Sequence, residues 1–185
     1  SAIVRHQGKW INIYTTRGPK GQAMCRAYSD DLFNWELDPR NPFFYAPEYA
    51  LPTGKCGGAF IVPYNDRYLI YYMLSSHGGL GGVGLISTKD FEKFEDHGFV
   101  FLMPLQARGT HTVESPCVIY RNGLWHLFYG CGTGWWHTIS NRPDSFLGDH
   151  YFRAASAIST YCMGPFHACR VLQTPDGEWV MISTP

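Results

Sequence analysis

Apolar and polar residues alternate along this chain in short runs broken by polar turns, and one hairpin pattern returns four times. Its clearest copy is residues 118–129, an apolar strand, an Asn122-Gly123 turn and a second strand rich in aromatics. Run, turn and run together predict a β-hairpin. The other copies are residues 3–14, 61–72 and 171–182, the last one residue longer at its turn. Trp10, Tyr68, Trp125 and Trp179 anchor the four copies at a period of roughly 54 to 58 residues. Hairpins at a fixed period above ~40 residues point to propeller blades.

The first three copies continue in the same way. Each has a Gly-rich loop (17–21, 78–82 and 130–134), then a third strand ending in Ser29, Ser87 or Ser140, then a polar turn carrying an aromatic. A fourth, outer strand is expected after each, for instance at Glu36–Leu37 and 98–102. Four antiparallel strands per unit is what a blade requires. The expected fold is an all-β, incomplete β-propeller forming one domain, with about three and a half blades at 1–45, 55–105, 111–150 and 165–185. No segment has a convincing helical period, and residues 151–158 read as a short helical turn or a loop. The 78–82 loop is followed by no Gly-Lys-Ser/Thr and no helix, so it reads as a wide hairpin loop and not a phosphate cradle. An open propeller leaves sheet edges bare. The expectation is therefore a piece of a longer chain, a homo-oligomer in which a second copy completes the ring, or an unusual closure.

Composition narrows the partners. The chain is 16% aromatic and 16% charged, with 15 basic and 15 acidic residues and no long run of either sign. Average chains carry about 25% charged residues. Neither nucleic acid nor an anionic membrane surface is the expected partner, and no apolar stretch approaches the ~18–20 residues of a membrane span. Cys25, Cys56, Cys117, Cys131, Cys162 and Cys169 form no CxxC pair, and several fall in expected strands. They read as free thiols in a reducing compartment, which favours the cytoplasm, with one or two disulfides as the alternative. Their spacing does not suit a structural zinc site.

Candidate chemistry lies where the innermost strands begin, because equivalent positions there converge on the propeller axis. Four residues before Val118 stands Glu114; the same step from Val171 gives His167, and from Ile61 it gives Gly57. A carboxylate near a His under aromatic cover is a setting in which a glutamate can act as an acid. His111, three residues before Glu114, is a candidate for the same channel. Trp135 and Trp136 are candidate stacking platforms for a sugar face, although neighbours on a strand point to opposite sides, so at most one of them serves and core packing is the alternative. Asp30, Asp31, Asp90 and Asp144 sit in the polar turns, where turn chemistry accounts for them.

The segments Glu114-Ser115-Pro116-Cys117-Val118 and Asn122-Gly123-Leu124-Trp125-His126-Leu127-Phe128-Tyr129 together resemble the five-bladed β-propeller glycoside hydrolases. These are the arabinanase, xylosidase and arabinofuranosidase group with the related invertases and fructosidases. The stretch from Ser29 to Glu36 looks like their Ser-x-Asp-Leu-x-x-Trp segment, and Phe166-His167-Ala168 is similar to the His-Ala segment that opens a later blade. The resemblance implies Glu114 as general acid, beside a second carboxylate acting as nucleophile or base. It also implies a further Asp that tunes and orients, and the family's Asp is expected at a blade start, typically in an Asp-Pro pair. At the first blade, which begins Ser1-Ala2-Ile3, it would fall just before residue 1, and at the second Cys56-Gly57-Gly58 has none. His111, His167, Trp135 and Trp136 become candidate saccharide contacts. No cofactor is required by the resemblance; a central metal ion such as calcium, with His167 as ligand, is the one candidate. Three functions follow: a glycoside hydrolase or its remnant, a glycan- or protein-binding propeller without chemistry, and a glycoside phosphorylase. The last needs basic residues at the channel mouth, and Arg5, Arg121 and Arg170 are expected on strands or turns instead.

Overall fold

The computed structural model describes residues 1–48, 55–75, 81–103, 113–131, 134–146, 153–154 and 169–183. It is all-β, with no α-helix among the described residues. The first sheet runs β1 (Ala2–His6), β2 (Lys9–Gly18), β3 (Gly21–Ser29), β4 (Glu36–Leu37), with β5 (Phe44–Tyr45) also paired to β3. The second runs β6 (Cys56–Tyr64), β7 (Arg67–Ser75), β8 (Gly81–Thr88), β9 (Glu95–Leu102). The third runs β10 (Val113–Arg121), β11 (Leu124–Cys131), β12 (Gly134–Ser140), β13 (Arg153–Ala154). A two-stranded sheet, β14 (Cys169–Gln173) and β15 (Trp179–Ser183), ends the series. All neighbours pair antiparallel in sequence order. The first strands lie side by side, β1 against β6, β6 against β10 and β10 against β14, so each sheet is a blade with its first strand innermost. Two residues in the segment expected as a helical turn or loop are in fact the outer strand β13.

The inner hairpins close on residues that accept a left-handed backbone. Gln7, Asn65 and Asn122 have φ of 47°, 52° and 52°, and Gly8 and Gly123 follow in the same region. Two successive positive φ values make the turn whose twist matches paired strands. Registers then coincide: Arg5 pairs with Trp10, Pro63 with Tyr68, Tyr120 with Trp125 and Gln173 with Trp179. The four anchoring aromatics thus occupy one position, one residue in from the turn.

The core lies between blades. Ile11, Ile13 and Met24 of blade 1 meet Ala59, Ile70, Tyr72 and Ile86 of blade 2. Leu69, Tyr71, Val83 and Leu85, on the other face of blade 2, meet Val118, Trp125, Leu127 and Tyr129 of blade 3. Cys117 and Trp135 of blade 3 meet Val171 of blade 4. Burial of each such large side chain contributes about 1.5–3 kcal/mol. The anchoring aromatics are not equally interior. Trp125 is buried, Tyr68 and Trp179 are half-buried against the clusters, and Trp10 is half-buried under the Arg5 guanidinium, 5.6 Å from its ring centre. Trp10 neighbours Ile11 on β2 and so lies on the face opposite the one packed on blade 2. It joins none of these clusters among the described residues.

Candidate functional site at the axial end of the blades

Glu114 lies at the start of β10 and pairs with Gly130 of β11, which in turn pairs with Trp135 of β12. Beyond Glu114 the register jumps to Cys117–Phe128, a β-bulge that leaves Ser115 and Pro116 outside the ladder. Blade 2 is built alike. Gly57 pairs with Met73, the next pair is Phe60–Tyr71, and Gly58 and Ala59 form the bulge. Gly58 has φ of 61° and Ser115, its counterpart, 49°. Bulges re-aim a strand end, and here two of them meet. A Cβ on Gly58 would lie 3.6 Å from the Ser115 nitrogen and 3.7 Å from its Cα. Gly57 and Glu114 are therefore equivalent positions at one end of the propeller axis, as the four-residue step implies.

Two further side chains reach this end from other blades, and sequence reasoning placed neither there. Thr15 of β2 accepts the Gly58 N–H at 3.1 Å through its Oγ1. Arg170, at the second position of β14, donates from Nη2 to the Ala59 carbonyl at 3.5 Å, and its guanidinium stands 5.3 Å from the Phe60 ring centre. Arg170, expected on a strand or turn, lies on β14, and its side chain spans from blade 4 to the inner strand of blade 2. The only sequence signal was its place one residue before Val171, level with Cys117 and Phe60. Beside it the Val171 N–H donates to the Cys117 sulfur at 3.2 Å. Burial pushes the Cys117 thiol up and the Cys56 thiol up to about 12, so both are held as neutral, unreactive packing groups. Cys25, Cys56 and Cys117 are free and buried.

The two tryptophans point to opposite sides of blade 3. Trp135 is 3% exposed and packs with Cys117 and Val171; Trp136 is half-buried against the cluster shared with blade 2. The Trp135 indole covers Gly130, since a Cβ there would meet its Cη2 at 3.4 Å and the Glu114 carbonyl oxygen at 3.6 Å. Among the described residues the buried Trp135 Nε1 has no hydrogen-bond partner. Glu114 itself is half-buried. His111 and His167 lie outside the described residues. Among the described residues no group of three or more His, Cys, Asp or Glu is placed to hold a metal ion.

The turn aspartates lie at the opposite end of the blades. Asp31 accepts the N–H groups of Phe33 and Asn34, and Asp90 those of Glu92 and Lys93. These bonds hold both carboxyls below the usual carboxylate range. In blade 3 the turn follows Ser140, which pairs with Trp125, five residues from Gly130 along β11. At about 3.4 Å per residue that separates the turn from the Glu114 row by about 17 Å. A capping hydroxyl precedes each turn, Ser29 in blade 1 but Thr88, not Ser87, in blade 2.

No protein-family model matches the chain, and no curated protein does. Solved structures do match. A Bombyx mori GH32 β-fructofuranosidase in complex with sucrose superposes with a TM-score of 0.78 at 18% identity, over 99% of this chain and 42% of that one. A Cellvibrio cellulosa α-L-arabinanase complexed with arabinohexaose gives 0.70 at 16%, over 98% and 68%. A β-1,2-mannobiose phosphorylase from Listeria innocua gives 0.69 at 16%, over 98% and 69%. The chain thus spans about two fifths of the fructofuranosidase it matches. At these identities the likeness establishes architecture: the fold is a partial β-propeller of the five-bladed type built by glycoside hydrolases of families 32 and 43.

Proposed function

We propose that the chain belongs to a glycoside hydrolase-like protein that takes a saccharide at the axial end of the blades, with Glu114 as general acid. The observation that carries this is the paired bulge, which sets Glu114 at the start of an inner strand beside the converging backbone of blade 2. Structural neighbours solved with sucrose, arabinohexaose and β-1,2-mannobiose support a saccharide as the ligand class. In such a reaction a protonated carboxyl gives its proton to the leaving glycosidic oxygen while a second carboxylate attacks or activates water. Glu114 serves the first role. Blade 2 contributes no acid at the equivalent point, because Gly57 stands there.

That bare position favours a second reading, a propeller that holds a glycan without cleaving it. The two separate on one substitution. Glu114→Gln, assayed on aryl arabinofuranosides and on sucrose, is expected to abolish turnover while the thermal midpoint stays within a degree or two. Unchanged turnover removes Glu114 from the acid role. Saccharide binding by a wild-type protein that never turns over establishes the binding reading instead.

A further inference from the structure

Thr15 holds on β2 the register position that Met73 holds on β7 and Gly130 on β11, each five residues beyond the anchoring aromatic. Met73 and Gly130 pair within their own blades with Gly57 and Glu114. Thr15 instead reaches into the next blade. A Cβ on Gly57 would stand 2.3 Å from its Oγ1 and 2.6 Å from its Cγ2, so Thr15 fills the volume that a side chain at position 57 would need. Its hydroxyl also takes the Gly58 N–H at 3.1 Å. A Cβ on Gly58 would come within 3.6–3.7 Å of the Ser115 backbone, and both residues hold a left-handed backbone at their bulges.

We infer that Thr15 is a positioning residue of the axial site. From blade 1 it supplies the side chain that blade 2 leaves out at Gly57, and through Gly58 it fixes the backbone against which Ser115 and Glu114 sit. A threonine suits the task because its branched Cβ leaves few rotamers. A hydroxyl that accepts one bond also keeps its proton for an acceptor. The axial end then presents a neutral donor at the blade 2 position and a carboxyl at the blade 3 position. The functional meaning of this pairing rests on the saccharide reading above; the structural coupling does not.

Two variants of the full chain separate hydroxyl from shape. Thr15→Val keeps the branch and loses the hydroxyl, and Thr15→Ser does the reverse. In backbone and carboxyl NMR spectra, Thr15→Val is expected to shift the Gly58 amide, the Ser115 amide and the Glu114 side-chain carboxyl carbon. Asn65 and Asn122 at the far turns stay in place. Thr15→Ser is expected to restore the wild-type positions. Shifts that stop at Gly58, or that are equal in the two variants, overturn the inference. With arabinohexaose and sucrose as probes, Thr15→Val is expected to weaken binding about five- to ten-fold and Thr15→Ser by less than about two-fold. A wild-type protein that binds neither sugar contradicts the saccharide reading alone, because the spectra still decide the coupling.

Discussion

Gly57 and Thr15 compete for one volume, and that competition is the residue-level signature of the axial end. Replacing Gly57 with Ala puts a methyl group against the Thr15 side chain, and is expected to destabilise the protein. Thr15→Ala empties the same space, so the double variant is expected to recover most of the loss. Chemical denaturation of the four proteins measures the coupling, and additive losses contradict the shared volume. Gly57 and Glu114 were legible as equivalents because both sit four residues before an apolar strand position, and the bulge carries the same count in both blades. Thr15 was not legible. Nothing in the local pattern of β2 marks a hydroxyl whose partner is 43 residues away in another blade. Such a cross-blade contact exists only after the blades pack.

At the level of elements, the outer part of blade 1 is tied to blade 2 by charge. Asp38 is buried and bonds to Arg26 Nε at 2.5 Å and to Arg40 Nη2 at 2.9 Å. Arg40 and Arg26 in turn pair with Glu92, on the turn after β8. The Arg26 guanidinium also packs on Phe43 and Phe94. Hydrogen bonds from Arg40 lead in holding both the Asp38 and the Glu92 carboxyls below their ordinary values. A depressed folded-state pKa gives stability that is complete above the unfolded value and is lost as pH falls through the folded one. Thermal midpoints are therefore expected to hold from pH 7 to about 5 and to fall progressively below about 4. Asp38→Asn weakens a buried pair, is expected to lower stability near neutrality, and is expected to flatten that acid slope. An unchanged slope in the variant contradicts the assignment. The turn roles of Asp31 and Asp90 were readable from sequence, since their bonds are local. The Asp38 cluster was not, because its cations come from β3 and the β4–β5 connection and its other acid from blade 2.

Across the whole molecule the blades are equivalent in plan but not in cover. Phe91 of blade 2 has φ of 60° and is 1% exposed, wedged against His6 and Tyr68. Leu32, its counterpart after the same capped turn in blade 1, has φ of 70° and is 41% exposed. Ile3, Phe33 and Leu37 are exposed as well. The period, the hairpins and the strand order could be read from the sequence because turn residues and alternation are local signals. The difference between a covered and an uncovered blade face could not, because it depends on which blade lies alongside. The same holds for Arg170, whose reach to Ala59 follows only from the way β14 packs beside β10 and β10 beside β6.

Inner strands from separate blades meet at one axial end, and the proposed function puts a saccharide there beside Glu114. The most direct measurement is amide and side-chain NMR mapping of the full chain during titration with arabinohexaose and with sucrose. Progressive shifts confined to Thr15, Gly58, Glu114 and the Trp135 indole are the expected result. Shifts centred on the far turns at Asn65, Asn122 and Arg142, or none with either sugar, would contradict it.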